Sequence, residues 1–394
     1  MKLLHTSDWH VGKRIRGHSR ADEHRAVLTE ITELAASENV ELILVAGDLF
    51  ETAAPTAESE LIVNQALLGL AEVAPVMAIA GNHDNPRRLA AVEPLMKLGR
   101  ITMASEPRPP DAGGVVTIET ASGTPVKVAL LPFVSQRSII RSADLMGNTG
   151  FENAQTYGER MARVIEALCS RFEPDAVNVL MAHAFVHGGS SGGGERPAHL
   201  VDEYALATPD FPPTASYVAL GHLHRPQQML GASAIHYCGS PLQLDFGEQD
   251  QAKQVNVVDA EPGIPAKVNP VPLRAGRRLR TLTGTLAELG SIANEGDLGD
   301  DWLRVRVTEP GRTGLADEVR ELLGSNVVDV QINHQPTAVK STTAGRAART
   351  PHQLFGDYLT EQGVADAPLE ARFAELLDEL ASGDSEADEV EVAS

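Results

Sequence analysis

The chain has 394 residues, of which 42% are hydrophobic and only 4% aromatic; this is enough to bury one large core with smaller appended parts, and it suits an α/β protein better than an aromatic-rich β-sandwich. The formal charge of −21 argues against extensive wrapping of nucleic acid by this chain alone, yet from Pro351 onward twelve acidic residues face a single arginine, Arg372, so about half of that charge lies in one tail. Two distant cysteines, Cys169 and Cys238, form no CxxC pair and point to a reducing cytoplasm; the N-terminus MKLLHTSDWH turns polar too early for a signal peptide, and no apolar run approaches the roughly 20 residues of a membrane span.

Met1–Ser7, Glu41–Ala46 and Val76–Ala80 read as buried strands, separated by apolar residues at helical spacing in His24–Ala35 and Ser59–Leu70. Strand–helix–strand repetition predicts right-handed crossovers and a largely parallel sheet. Val115–Ile118 and Val126–Leu131 flank Ser122-Gly123 as a hairpin. A helix over Tyr157–Cys169 precedes strands at Ala176–Met181, Ser216–Leu220, Ala234–Tyr237 and Gln254–Val258. Prolines gather between Pro262 and Pro272, and residues 1–268 are taken as the first domain. Residues 269–335 read as a small α+β domain, with strands at Leu303–Val307 and Val327–Ile332 around a helix at Leu315–Leu323. A polar linker is expected over 336–349 and two amphipathic helices over 350–380, the first bearing Phe355 and Leu359, the second Phe373. The acidic residues 381–394 are expected to be disordered.

Five segments place metal-ligating residue types directly after apolar runs: Asp8-Trp9-His10, Gly47-Asp48, Gly81-Asn82-His83-Asp84, His183, and Gly221-His222-Leu223-His224. Strand carboxyl ends in an α/β sheet point into one crevice, so these residues can converge although they are far apart in the chain. In Asp8-x-His10 and His222-x-His224 an extended chain sends both side chains to one side. A carboxylate such as Asp48 can bridge two cations, and mixed nitrogen and oxygen donors suit Mn, Fe or Zn better than Ca or Mg. Two such ions about 3.5–4 Å apart clamp a phosphodiester and supply a hydroxide nucleophile. Glycines 47, 81 and 221 let the backbone turn sharply at the strand ends. Read alone, Gly47-Asp48 is an ordinary turn; the recurrence of all five carries the signal.

These segments resemble the calcineurin-like metallophosphoesterase superfamily. Within it, HTSDWHVGK, VAGDLFET, AGNHDNPRRL, ALGHLHRPQ and YCGSPLQLDFGE resemble the SbcD nuclease family, from Met1 to about Glu248. The resemblance implies an α/β fold: a β-sandwich flanked by helices, with a small α+β capping domain and C-terminal helices. It implies two divalent ions, Mn2+, one held by Asp8, His10 and His224, the other by Asn82, His183 and His222, with Asp48 bridging. His83 then aids the transition state by protonating the leaving sugar oxygen, with Asp84 orienting it. One departure is Glu51, where archaeal and eukaryal relatives tend to have a histidine. The implied activity is 3′-to-5′ double-strand exonuclease and single-strand or hairpin endonuclease action in DNA repair, recombination and replication. The implied partner is an SbcC-type coiled-coil ATPase gripped by the C-terminal helices, with a homodimer inside a heterotetramer.

Lys13, Arg14, Arg16, His18 and Arg20 form a basic cluster beside the first metal motif and read as DNA phosphate contacts, with Arg87 and Arg88 as weaker candidates. The run GGSSGGG at 188–194 lacks the Lys-Ser/Thr of a phosphate loop and reads as a flexible loop. The metal residues alone leave room for a small-molecule or cyclic-nucleotide phosphodiesterase, but YCGSPLQLDFGE, the appended second domain and the helix pair favour the nuclease; a non-catalytic scaffold would need a broken metal set.

Overall fold

The computed structural model describes residues 1–135, 139, 150–195, 205–296, 298–332, 355, 359 and 373, without the side chains of 150–155 and 295. The chain divides into two units, Met1–Asn333 and His334–Ser394. In the second unit, the rings of Phe355 and Phe373 stack at 4.0 Å and Leu359 is buried. The rest of the expected linker, helix pair and acidic tail lies outside the described residues.

In the first unit two six-stranded sheets pack face to face. The first runs β14-β13-β1-β4-β5-β6. Its parallel strands are β1 (Lys2–Thr6), β4 (Leu42–Val45), β5 (Val76–Ile79) and β6 (Ile101–Ala104); β13 (Gln254–Asp259) and β14 (Lys267–Pro272) close one edge antiparallel. The second runs β11-β12-β10-β9-β8-β7. Here β8 (Pro125–Leu131), β9 (Val177–His183), β10 (Tyr217–Gly221) and β12 (Ala234–Tyr237) are parallel, with β7 (Val115–Glu119) and β11 (Gln227–Met229) antiparallel at the edges.

Burial on both faces explains the unbroken apolar runs. Leu3, Leu42, Leu44, Val177, Val179 and Met181 meet between the sheets. The alternate residues Leu4, Ile43 and Val45 pack outward under helices α1 (Ala21–Ser37), α2 (Ala57–Val73) and α3 (Pro86–Leu98). Leu180 and Ala182 likewise face α4 (Gly150–Cys169).

The expected boundary at 268 falls inside β14, which hydrogen-bonds to β13 from Lys267 to Pro272. The prolines read as a boundary, Pro270 and Pro272, sit on an edge strand, where a missing N–H costs no ladder bond. Beyond it, β15 (Leu279–Gly284), β16 (Trp302–Val307) and β17 (Val327–Ile332) form a parallel sheet carrying α5 (Leu286–Glu295) and α6 (Leu315–Leu323), with their own core of Leu282, Leu289, Leu303, Val305 and Val319. The short hairpin β2 (Arg14–Ile15) and β3 (His18–Ser19) reaches this module: Ile15 and Phe246 pack on Leu279 and Trp302.

Arg20, expected to face DNA, is buried and joins the two parts instead. Its guanidinium donates to Glu23 (2.9 and 2.6 Å) and to the carbonyl of Gln243, while Glu23 also accepts from Trp302 Nε1 (2.9 Å) and the Arg277 N–H (2.7 Å). Removing one partner of such a pair leaves a buried charge, at a cost of about 3–5 kcal/mol. Arg20→Ala is therefore expected to lower the melting temperature by several degrees in calorimetry. Wild-type melting with weakened DNA binding would return Arg20 to the surface role.

Candidate metal centre

The loops after β1, β4, β5, β9 and β10 meet at one rim. Asp8 N–H donates to Gly47 O (3.0 Å), His10 N–H to Asp48 O (3.0 Å), and His222 N–H to Asp8 Oδ1 (3.0 Å). These loops are not extended, contrary to the expectation for Asp8-x-His10 and His222-x-His224. Asp8 (φ 53), His10 (φ 48), Asp48 (φ 51) and His222 (φ 111) all have left-handed backbones. Non-glycine residues adopt that region at a cost, and such residues cluster at functional sites. All three glycines lack room for a Cβ, which would stand 2.3 Å from His183 Nδ1 at Gly47, 2.1 Å from Asp48 Oδ1 at Gly81 and 1.8 Å from Ala46 O at Gly221; Gly47 alone of the three also has a positive φ (94).

Asp8, His10, Asp48, His183, His222 and His224 are each at most 3% exposed, and with Asn82 they form two groups. Asp8, His10 and His224 bring ligand atoms within 4.8 Å of one another. Asn82 Oδ1 lies 3.0 Å from His183 Nε2 and 2.8 Å from His222 Nδ1. Asp48 Oδ2 stands between the groups, 3.4 Å from both His10 Nε2 and His183 Nε2. His83 adjoins them, its ring centroid 4.6 Å from that of His10.

Hydrogen bonding shows that these side chains fit cations. His10 Nδ1 is 3.0 Å from Glu51 Oε2, and His224 Nδ1 is 2.9 Å from Glu248 Oε1. Burial pushes both carboxyls up, but His10 and Lys13 bring Glu51 down to about 2, and Lys253 and His224 do the same for Glu248, also to about 2. Each carboxylate therefore accepts from Nδ1–H, which turns the Nε2 lone pair inward. The two Nε2 atoms face each other at 3.1 Å, an arrangement that requires a proton or a metal ion between them. His183 behaves similarly: Nδ1 donates to Ala46 O (2.8 Å), leaving Nε2 toward Asp48 and Asn82.

Burial pulls His183 down, but the Asp48 charge and hydrogen bond prevail and hold it at about 9. Asp48 is raised by burial yet brought well below the usual carboxylate range by His183, His10 and His83. At pH 7.5 a metal-free His183 is thus protonated, whereas a metal ligand must be neutral. Metal uptake at that pH is expected to release about one proton from His183, and apparent affinity to weaken roughly tenfold per unit as pH falls further below 9. Calorimetric titration with manganese in buffers of different ionisation enthalpy reads that proton; identical heats in all buffers would contradict the assignment.

Asp84 accepts the N–H groups of Leu49 (3.2 Å), Phe50 (3.0 Å) and Gly81 (2.8 Å), and burial with the nearby Asp48 charge lifts it to about 6. Its hold on His83 runs through this loop, whose Glu51 carbonyl accepts from His83 Nδ1 (2.7 Å). Arg14, Arg16 and Arg87 are exposed; Lys13 is partly buried against Glu51 (2.9 Å), and Arg16 reaches Asp329 (3.2 Å). Burial pushes the Cys238 thiol up, which unfits it as a nucleophile.

The run at 188–194 is a packed loop rather than a loose one. Glu195 binds the N–H groups of Gly192 (2.7 Å), Gly193 (2.8 Å) and His224 (2.8 Å). Sequence reasoning missed Glu195 and the carboxylates behind His10 and His224. The signal available was YCGSPLQLDFGE, which ends on Glu248.

Two packed sheets with buried imidazole, carboxylate and amide donors at their strand ends define a metallophosphoesterase, and the sequence matches the calcineurin-like phosphoesterase family over residues 1–226. Relatives named as the D component of the SbcCD nuclease are similar over most of the chain. That of Bacillus subtilis (strain 168) is 32% identical over 98% of this chain and all of the relative. That of Rhodobacter capsulatus is 33% identical over 69% of each, and that of Escherichia coli (strain K12) 30% identical over 78% of each. The chain belongs to this SbcD family of SbcCD nuclease components.

Proposed function

We propose that this chain is the nuclease component of an SbcCD-type DNA repair complex, cleaving phosphodiesters with two Mn2+ ions. The position of Asp48 between two donor groups carries this reading. Asp8, His10 and His224 would hold one ion and Asn82, His183 and His222 the other, with Asp48 shared between them. When bound, such a pair neutralises phosphate charge and activates water. The chain's own contribution is to orient the imidazoles with Nε2 toward the site, through Glu51, Glu248 and the Ala46 carbonyl, and to place His83 for proton donation to the leaving sugar oxygen.

Lys13, Arg14, Arg16 and Arg87 are the phosphate contacts in this reading, with the 269–335 module as a cap and Arg20 removed from the set. Exposed Leu61 and Leu68 on α2, with Leu95 and Leu98 on α3, support a homodimer formed through this domain. Residues 350–380 bind the coiled coil of an SbcC-type ATPase. No helix among the described residues is long and apolar enough to cross a membrane.

The deciding experiment offers linear duplex DNA, DNA hairpins, cyclic nucleotides and phosphopeptides in Mn2+, with and without the ATPase partner and ATP. Degradation of duplex DNA from 3′ ends and opening of hairpins is expected. Hydrolysis of cyclic nucleotides with DNA left intact would assign a small-molecule phosphodiesterase.

A further inference from the structure

His224 is held by fixed partners at every polar atom except Nε2, which faces His10 Nε2 at 3.1 Å. Its N–H donates to Glu195 Oε1 (2.8 Å), its carbonyl accepts from Lys253 Nζ (3.0 Å) and Ser240 N–H (3.2 Å), and Nδ1 donates to Glu248 Oε1 (2.9 Å). Only Nε2 is left for a cation. The other oxygen of fully buried Glu248 accepts the Leu244 N–H (2.9 Å) and the Lys253 ammonium (2.7 Å). Lys253, itself 8% exposed, also donates to Ser240 Oγ (2.9 Å) and Gln251 Oε1 (3.2 Å). Gly194 closes the site, since a Cβ there would stand 2.6 Å from Glu248 Oε1 and 2.9 Å from His224 Nδ1.

An ion pair this deep contributes little to stability by itself, because an apolar pair of the same shape does at least as well. An apolar pair cannot fix a tautomer. A matching set stands across the centre, where Glu51 binds His10 Nδ1 (3.0 Å) and Lys13 (2.9 Å), but those two side chains are 21% and 22% exposed against 0% and 7% for Glu248 and Lys253. The rim pair is partly open to water; the buried pair is shielded from it.

We propose that Glu248 and Lys253 are positioning residues for the metal centre, acting through His224. Glu248 sets its tautomer and ring orientation, and Lys253 anchors Glu248 and the His224 carbonyl together. The proposal rests on the dinuclear reading above.

Glu248→Gln tests it sharply. Leu244 N–H and Lys253 both donate to one side of residue 248, so the amide oxygen turns toward them and the NH2 toward His224 Nδ1. That orientation forces the ring proton onto Nε2, where it blocks ligation. Two-site calorimetry with Mn2+ on metal-free protein is expected to show one site weakened roughly 10–100-fold, in the range of lost outer partners, and the other within about threefold of wild type. Electron paramagnetic resonance at intermediate manganese should then show a single ion where wild type shows an exchange-coupled pair.

Should Lys253, left without its counter-charge, unfold the single variant, Glu248→Gln with Lys253→Met removes both charges and is expected to stay weaker than wild type at the same one site. Unchanged affinity at both sites overturns the positioning role. So does equal weakening of both with a lowered melting temperature, which marks a merely structural pair. A wild-type protein that binds a single ion or none removes the dinuclear reading instead, and this proposal with it.

Discussion

Asp48→Asn is expected to lower phosphodiester hydrolysis by about a thousandfold or more and to leave the protein with fewer than two manganese ions after loading and gel filtration. The substitution conserves shape, which matters because Asp48 Oδ1 accepts the His83 N–H at 2.8 Å in a space where Gly81 has no room for a Cβ. What it removes is the negative charge between the two donor groups. A metal ion offers a phosphoryl oxygen several kcal/mol of charge stabilisation, so loss of the second ion costs about 4 kcal/mol in the barrier, or roughly a factor of 10³. The same substitution frees His183 from the interaction that holds it at about 9, so proton release on metal uptake at pH 7.5 should shrink. Wild-type metal content and turnover in this variant would sink the bridging assignment.

Much of the centre was legible because ligand types follow apolar strands, and such strands deliver their ends to one crevice. MKLLHTS before Asp8, ELILVA before Asp48 and VNVLMA before His183 announce both the strand and where it stops. The conformation at those ends was not legible. Left-handed Asp8, His10 and Asp48 are imposed by pairing of the loops through Asp8 N–H to Gly47 O and His10 N–H to Asp48 O, a tertiary cause with no local signature. Helix α3 escaped notice because Pro94 sits inside it and exposed Leu95 and Leu98 blur its apolar stripe. Arg20 misled because a basic residue in a basic cluster reads as surface, while its partners Gln243 and Arg277 are over 200 positions away. The buried carboxylates behind His10 and His224 were hidden for a related reason. Glu51 registered only as a missing histidine, yet it holds His10 by a direct bond.

His83→Gln separates chemistry from binding. The His83 ring donates from Nδ1 to the Glu51 carbonyl (2.7 Å) and stands beside Asp48 and His10. The loop carrying that carbonyl is held by Asp84 through Leu49, Phe50 and Gly81, which makes the imidazole a placed group rather than a mobile one. A general acid contributes roughly 10²–10⁴-fold, and only where the leaving group needs a proton. Cleavage of DNA, whose leaving sugar oxygen is strongly basic, is therefore expected to fall by about 10²–10⁴, while an activated aryl phosphodiester with a stable phenolate leaving group loses less than about tenfold. Manganese content should match wild type, since the proposed ligands are untouched. Equal losses on both substrates would make His83 a phosphate binder, and full DNA cleavage would remove it from the reaction. Asp84→Asn, which keeps the shape but sets an NH2 that cannot accept in place of one carboxylate oxygen, so that at least the Phe50 N–H loses its acceptor, should reproduce the DNA-selective loss, because Asp84 acts by holding the loop that aims His83.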